Sequence, residues 1–248
     1  MALRGYGGCV RVPAVLRDNL NLVHQRIRQA CERAGRDPAT VTLVAVTKGL
    51  PLQTIWEAVA LGVTDVGENR VQEASAKIAG WSGGAVTWHL IGHLQRNKTK
   101  DAVELFGVIH SVDSLALADE LERQAAKRAR SLDVFVQVNV SGETTKFGCA
   151  PDEAAGLGRQ MAALAHLRFA GLMTIAPFVE DLEVPRRCFR QLRELRNQVA
   201  ATLNLEPSTL NLSMGMSQDF EVAIEEGANV VRIGTAIFRP ETRDQRRE

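Results

Sequence analysis

An ammonium group stands where the apolar run TLVAVTK, residues 42–48, comes to its end. The residues before Lys48 read as a buried strand, and Gly49 with Pro51 turns the chain away behind it. The sequence holds 24 Arg but only 6 Lys, so a lysine in such a place needs a chemical reason. Loss of solvent at a strand end disfavours the charged form, and a neutral ε-amine is a nucleophile that condenses with carbonyl compounds. Two plainer readings stay open: a stem that carries its charge out to solvent, or an ion pair with a carboxylate such as Glu68.

Two later segments could hold an anion opposite that amine. NLSMGMSQDF (211–220) and VVRIGTAIF (230–238) each end a predicted strand in glycine beside hydroxyl residues, just before a predicted helix. Such turns aim backbone N–H groups and hydroxyls at an anion, although Gly215 and Gly234 also suit turns that are merely tight. Lysine plus phosphate fits an imine with a phosphosugar, as in an aldolase, or with pyridoxal phosphate. Arg232, two residues before Gly234, could donate to a pyridine nitrogen and keep it unprotonated. As an ordinary interior arginine it would pair with Glu68 or Asp65 instead. His89, His93 and His110 fall near strand ends without the spacing of a metal triad. His89 reads equally as a residue packed beside a bound ring and as a satisfied core histidine.

A frame is needed that gathers strand ends. Apolar residues recur at helical spacing from Leu16 through Leu20, Val23 and Ile27 to Ala30, and Gly35 stops that helix. Strands are then predicted at 42–48, 64–69, 86–92, 107–112, 133–140, 168–175, 209–214 and 229–237, with amphipathic segments between them. The first four begin 21 or 22 residues apart. Alternation of this kind implies parallel strands joined by right-handed crossovers, and eight units in this length predict a (β/α)8 barrel with an extra N-terminal helix. No GxGxxG opens the first crossover, which disfavours an open doubly wound sheet. One α/β domain over 1–248 is expected, with short tails at 1–13 and 239–248. In such a barrel the site forms at the C-terminal strand ends, and those ends are polar here.

Composition narrows the function classes. A formal charge of +1 gives no electrostatic ground for binding nucleic acid or an acidic membrane. Four cysteines without CxxC spacing argue against a zinc site or a disulfide framework. No run approaches the roughly 20 apolar residues of a membrane span, and the N-terminus makes a poor signal sequence. A cytoplasmic protein is expected.

Seven motifs in series then resemble one family. VAVTKGLP, GENRVQE, WHLIGHLQRNK, IHSVDS, VQVNVSGETTKFG, GLMTIAP and LSMGMSQDFEVAIEEGANVVRIGTAIF are similar in order and spacing to the pyridoxal phosphate homeostasis protein family, over about residues 14–238. The resemblance implies a barrel of the alanine racemase N-terminal type holding pyridoxal 5'-phosphate as a Schiff base on Lys48. It implies Ser213, Gly234 and Thr235 at the phosphate with Met214 and Ser217 nearby, Arg232 facing the pyridine nitrogen, and Asn69 and His89 around the ring. The family commonly continues IFG where this chain has Phe238, Arg239 and Pro240, so the last turn must close differently.

The function implied is a monomeric carrier without robust catalysis, which buffers the cofactor and hands it to apo-enzymes that depend on it. The alternative is an amino-acid racemase, and an aldolase would need Glu68 as its acid/base. A two-base racemase takes its second base from a tyrosine on an added β domain. The chain reaches Glu248 soon after the last strand, and its only tyrosine is Tyr6, so a racemase is disfavoured.

Overall fold

The structure, a computed structural model, describes residues 12–143 and 145–239. It opens on α1 (Ala14–Arg33) and then alternates strand and helix. The strands are β1 (Thr42–Val46), β2 (Asp65–Glu68), β3 (Thr87–Leu90), β4 (Val108–Val112), β5 (Leu132–Gln137), β6 (Leu167–Met173), β7 (Asn211–Ser213) and β8 (Val230–Ile233). The helices between them are α2 (Leu52–Ala60), α3 (Val71–Ala79), α4 (Thr99–Leu105), α5 (Leu115–Ala126), α6 (Ala154–Ala162), α7 (Glu183–Thr202) and α8 (Phe220–Glu225), and α9 (Thr235–Phe238) follows the last strand. All eight strands pair in parallel in sequence order, and β1 closes on β8 from Thr42↔Val230 to Ala45↔Ile233.

Strand alternation explains two cores. Outward side chains pack under the helices in the larger apolar cluster, which includes Ala45, Val66, Leu90, Ile109 and Leu172. Inward ones form a smaller cluster of Val44, Val108, Phe135, Met173 and Val230. The interior also carries polar groups, with His89, His110, Ser213 and Arg232 all buried there. Buried polar groups stay only where they find partners, so this interior must be wired.

The expected extra helix is α1, whose apolar stripe from Leu16 to Cys31 is buried. Arg26 grips Glu221 of α8 with two hydrogen bonds, of 3.2 and 2.7 Å. Buried Asn19 donates to the carbonyls of Ile237 and Arg239 at 3.1 and 3.0 Å. Those carbonyls end α9, so a side chain from α1 closes the last turn. Pro240 and the tails at 1–11 and 240–248 lie outside the described residues.

The last strand was expected to run to 237. It ends at Ile233, because Gly234 turns the backbone (φ −118°, ψ −69°) and the apolar TAIF that follows winds into α9. The pairing of β7 with β8 is a single register, Ser213↔Val230. Beyond it the two loops that could hold an anion stand at the rim.

Candidate functional site

Lys48 sits two residues beyond the end of β1, in a turn where Gly49 takes φ +72°. It is exposed. The desolvation expected at the strand end is absent because pairing stops at Val46, which leaves the lysine above the rim. Glu68 is not its partner either. Lys77 of α3 donates to Glu68 Oε1 at 2.6 Å, to Glu73 Oε1 at 2.7 Å and to the Thr47 carbonyl at 2.8 Å. Thr47 donates to the same Glu68 oxygen at 2.5 Å, and the Gly49 N–H to Glu73 Oε1 at 2.5 Å. Both residues flanking Lys48 are thus tied to one largely buried ionic cluster, while its own amine meets no hydrogen-bond partner among the described residues. Burial pushes the Glu68 carboxyl above the usual range, against the pull of Lys77 and Thr47. An acid/base role for Glu68 would require that cluster to be dismantled.

The anion loops lie beside the lysine, not opposite it. Closure of the barrel makes β8 the immediate neighbour of β1, and a Cβ built on Gly234 would come within 3.2 Å of the Val46 carbonyl. The Ser217 hydroxyl accepts the N–H groups of Gly234 and Ala236, each at 3.3 Å. An oxygen acceptor therefore already stands where two amides converge. Gly215 permits the loop because its φ is +94° and a side chain there would strike Ala223 and Phe220. Asp219 accepts the Met216 N–H at 2.6 Å and holds the loop's far end. Thr235 is exposed beside this cradle.

Ser213, expected at the phosphate, and Met214, expected near it, lie deeper. Ser213 is the last residue of β7 and is fully buried, its hydroxyl 2.6 Å from Arg232 Nη1 and 2.8 Å from His110 Nδ1. Met214 is also fully buried, in the larger apolar cluster. The strand's alternation turned the first serine inward, and only Ser217 reaches the rim.

Arg232 is 4% exposed and pairs with neither Glu68 nor Asp65. It donates to Ser213 Oγ and, at 2.9 Å through Nη2, to the Thr174 carbonyl. Among the described residues no other acceptor meets the guanidinium, although five N–H donors are available. Burial lowers its pKa to about 10, with Asp219 opposing, so it stays a cation at neutral pH. Both ring nitrogens of His89 have partners, as in a satisfied core histidine: Nε2 lies 2.9 Å from Asp65 Oδ1 and Nδ1 lies 2.9 Å from His110 Nε2. Asn69 is half-buried just past β2, its main chain pressed against Gly92.

Sequence reasoning missed Lys77 and Glu73, whose i,i+4 spacing on α3 was the available signal. It also missed the stacked pair His93 and Phe147 at the rim, with ring centroids 3.8 Å apart. Nothing in the spacing of those two joins them. Among the described residues there is no cluster able to hold a metal ion, and no helix is long and apolar enough to cross a membrane.

Comparison with known proteins supplies a context for this geometry. A family model described as the alanine racemase N-terminal domain matches residues 19–241. The pyridoxal phosphate homeostasis protein of Pseudomonas aeruginosa is 45% identical, covering 91% of this chain and 95% of its own. That of Aquifex aeolicus is 43% identical, covering 89% and 96%. PipY of Synechococcus elongatus, solved with PLP bound, is 38% identical with a TM-score of 0.75, over 86% of this chain and 99% of its own. An alanine racemase of Corynebacterium glutamicum, at 18% identity and a TM-score of 0.65 over 88% of this chain and 61% of its own, shares the fold.

Proposed function

The chain belongs to the pyridoxal phosphate homeostasis protein family, and from that premise we propose that it binds pyridoxal 5'-phosphate at the rim and buffers or delivers it without robust catalysis. The observation that carries this reading is the cradle around Ser217. Its hydroxyl is gripped by two backbone amides, as a phosphate oxygen would be, with the under-used donors of Arg232 on one adjoining element and the free amine of Lys48 on another. The cofactor supplies an aldehyde and an electron-withdrawing ring.

The chain's own residues divide the work. Lys48 bonds the aldehyde carbon, with loss of one water. Ser217, Gly234 and Thr235 meet the phosphate, and Ser213 and Met214 support that cradle from below. Arg232 meets the ring nitrogen, while Asn69 and His89 bound the pocket on the β2–β3 side. A guanidinium that stays charged donates to a pyridine nitrogen without protonating it, and so leaves the ring a weak electron sink. That favours holding over catalysis. The sole tyrosine, Tyr6, lies outside the described residues, and among the described residues no tyrosine is available as a second base. Cys31, Cys149 and Cys188 are free and buried, which suits a reducing cytoplasm. The acting unit is one barrel domain, working as a monomer that meets apo-enzymes transiently.

Purified protein given the cofactor, reduced with borohydride and mapped by mass spectrometry is expected to carry the label on Lys48. Lys48→Ala should lose the label yet bind free pyridoxal phosphate more tightly than a Lys48→Ala/Ser217→Ala/Thr235→Ala variant, because the anion cradle sits on other strands. Labelling elsewhere overturns the site. Sustained conversion of L-alanine to D-alanine at ordinary enzyme rates overturns the carrier reading.

A further inference from the structure

The polar groups inside the barrel form a single line. Asp65 Oδ1 meets His89 Nε2 at 2.9 Å, His89 Nδ1 meets His110 Nε2 at 2.9 Å, His110 Nδ1 meets Ser213 Oγ at 2.8 Å, and Arg232 Nη1 meets that oxygen at 2.6 Å. Five side chains from five strands are joined by four contacts of hydrogen-bond length. We infer that Asp65, His89 and His110 are positioning residues for Arg232, joined through Ser213 into one directed hydrogen-bond chain that fixes the guanidinium beneath the rim. The inference deepens the proposed function and rests on it, since it takes Arg232 to be the group that meets the cofactor ring.

Proton counting sets the direction. Arginine only donates, so Ser213 Oγ accepts from Arg232. The one hydroxyl proton of Ser213 must then go to an acceptor, and His110 Nδ1 is the one within reach. A neutral imidazole carries a single N–H, so His110 donates through Nε2 to His89 Nδ1. His89 in turn donates through Nε2 to Asp65. Every N–H and O–H proton between Arg232 and Asp65 then has an acceptor, with both imidazoles neutral and one charge of each sign at the ends of the line. The competing arrangement makes His89 an imidazolium beside Asp65. His110 would then donate to Ser213, and the serine proton would have no acceptor in a fully buried place, at a real cost.

The surroundings keep His110 neutral. Burial pushes it well below the ordinary histidine range, and the Arg232 cation adds to that push, so the serine proton is what separates the two arrangements. Titratable and charged groups face the line from β2 (Asp65), β3 (His89), β4 (His110), β8 (Arg232) and the loop after β7 (Asp219). β1, β5 and β6 present Val44, Phe135 and Met173. His110 is also stacked on Phe135, with centroids 4.6 Å apart, which locks its ring plane. At the far end Asp65 lines a cleft of about 470 Å³ with His24 and Arg28, at the opposite mouth of the barrel. A change there should therefore be felt at the cofactor rim.

The test begins with the cofactor-free wild-type chain carrying ¹⁵N-labelled histidine. Long-range ¹H–¹⁵N spectra at pH 7 are expected to show both rings neutral with the proton on Nε2, and His110 unchanged down to pH 5. An imidazolium at His89 or an Nδ1–H tautomer at His110 overturns the chain. Asp65→Leu removes the terminal acceptor and Asp65→Asn keeps one. Asp65→Leu should disturb the His110 signals and weaken pyridoxal phosphate binding roughly tenfold, with Lys48 still labelled by borohydride. Asp65→Asn should restore both to within about twofold. Equal behaviour of the two variants sinks the positioning role. If the wild-type chain takes up no pyridoxal phosphate, the proposed function fails, yet the imidazole spectra still decide the hydrogen-bond chain.

Discussion

Single residues decide how the cradle works. The end of β7 and the loop after it offer two serines four positions apart, Ser213 and Ser217, and nothing in their types says which one faces an anion. β7 is only three residues long, Asn211–Ser213; its pleat turns the first hydroxyl toward Arg232 and leaves Ser217 to the loop. The chemistry at this end was legible as glycine, hydroxyl and arginine, but the assignment of each hydroxyl needed the strand's phase. Ser217→Ala therefore separates the two roles. It removes an oxygen that now meets two backbone N–H groups and would share a phosphate with them. A hydrogen bond to a charged group contributes about 1.5–3 kcal/mol, so the affinity for pyridoxal phosphate should fall on the order of tenfold or more. The amine of Lys48 is untouched, and reduction at saturating cofactor should still label it. Spectrophotometric titration of the variant reads both quantities, and an unchanged dissociation constant would remove Ser217 from the site. Lys48 itself was recognisable from its place after an apolar run, whereas its exposure was not, because the run is longer than the paired strand.

At the scale of elements, the turn that carries Lys48 is held from outside β1. Residues 47 and 49 reach Glu68 of β2 and Glu73 of α3, and Lys77 ties both carboxylates together. Glu68 and Lys77 have side chains only 0% and 9% exposed. Removing one partner of such a pair leaves a buried charge without compensation and costs about 3–5 kcal/mol. Lys77→Met is expected to lower the chemical denaturation midpoint accordingly, and Glu68→Gln added to it should recover part of the loss. If the single variant unfolds like the wild type, the cluster does not brace the turn. The order of elements was readable from hydrophobic runs spaced by helices, and each of the eight predicted strands has its counterpart. Boundaries were less readable. TAIF is mostly apolar and carries two β-branched residues, Thr235 and Ile237, so its pattern fits a strand as well as the short helix it forms, and only the turn at Gly234 decides between them.

For the molecule as a whole, closure is the step that sequence order conceals. β1 and β8 stand at opposite ends of the chain, and only a closed sheet makes them neighbours, which brings the lysine turn against the anion loops. Closure also buries the polar line across the interior, and that burial gives stability a pH dependence. His110 is neutral in the folded barrel with its pKa well below 6.5, because burial excludes the cation. In the unfolded chain it takes a proton near pH 6.5. Between those two values the unfolded state binds more protons, so stability rises with pH through the window and is lost as pH falls below about 6.5. His24 is lowered too, by burial and then by Arg28, and acts in the same sense. Glu68 acts in the opposite sense: burial raises its folded pKa, so it opposes folding as pH rises above the usual carboxylate range. Thermal midpoints measured from pH 8 to pH 5 should therefore decline once the pH drops below about 6.5. The His110→Phe variant keeps the stacking on Phe135 but has nothing to protonate, and its decline over that interval should be shallower, with His24 supplying what remains. Parallel curves for the two proteins would mean that His110 accepts a proton inside the folded barrel, and the neutral, one-way arrangement of the interior would then be untenable.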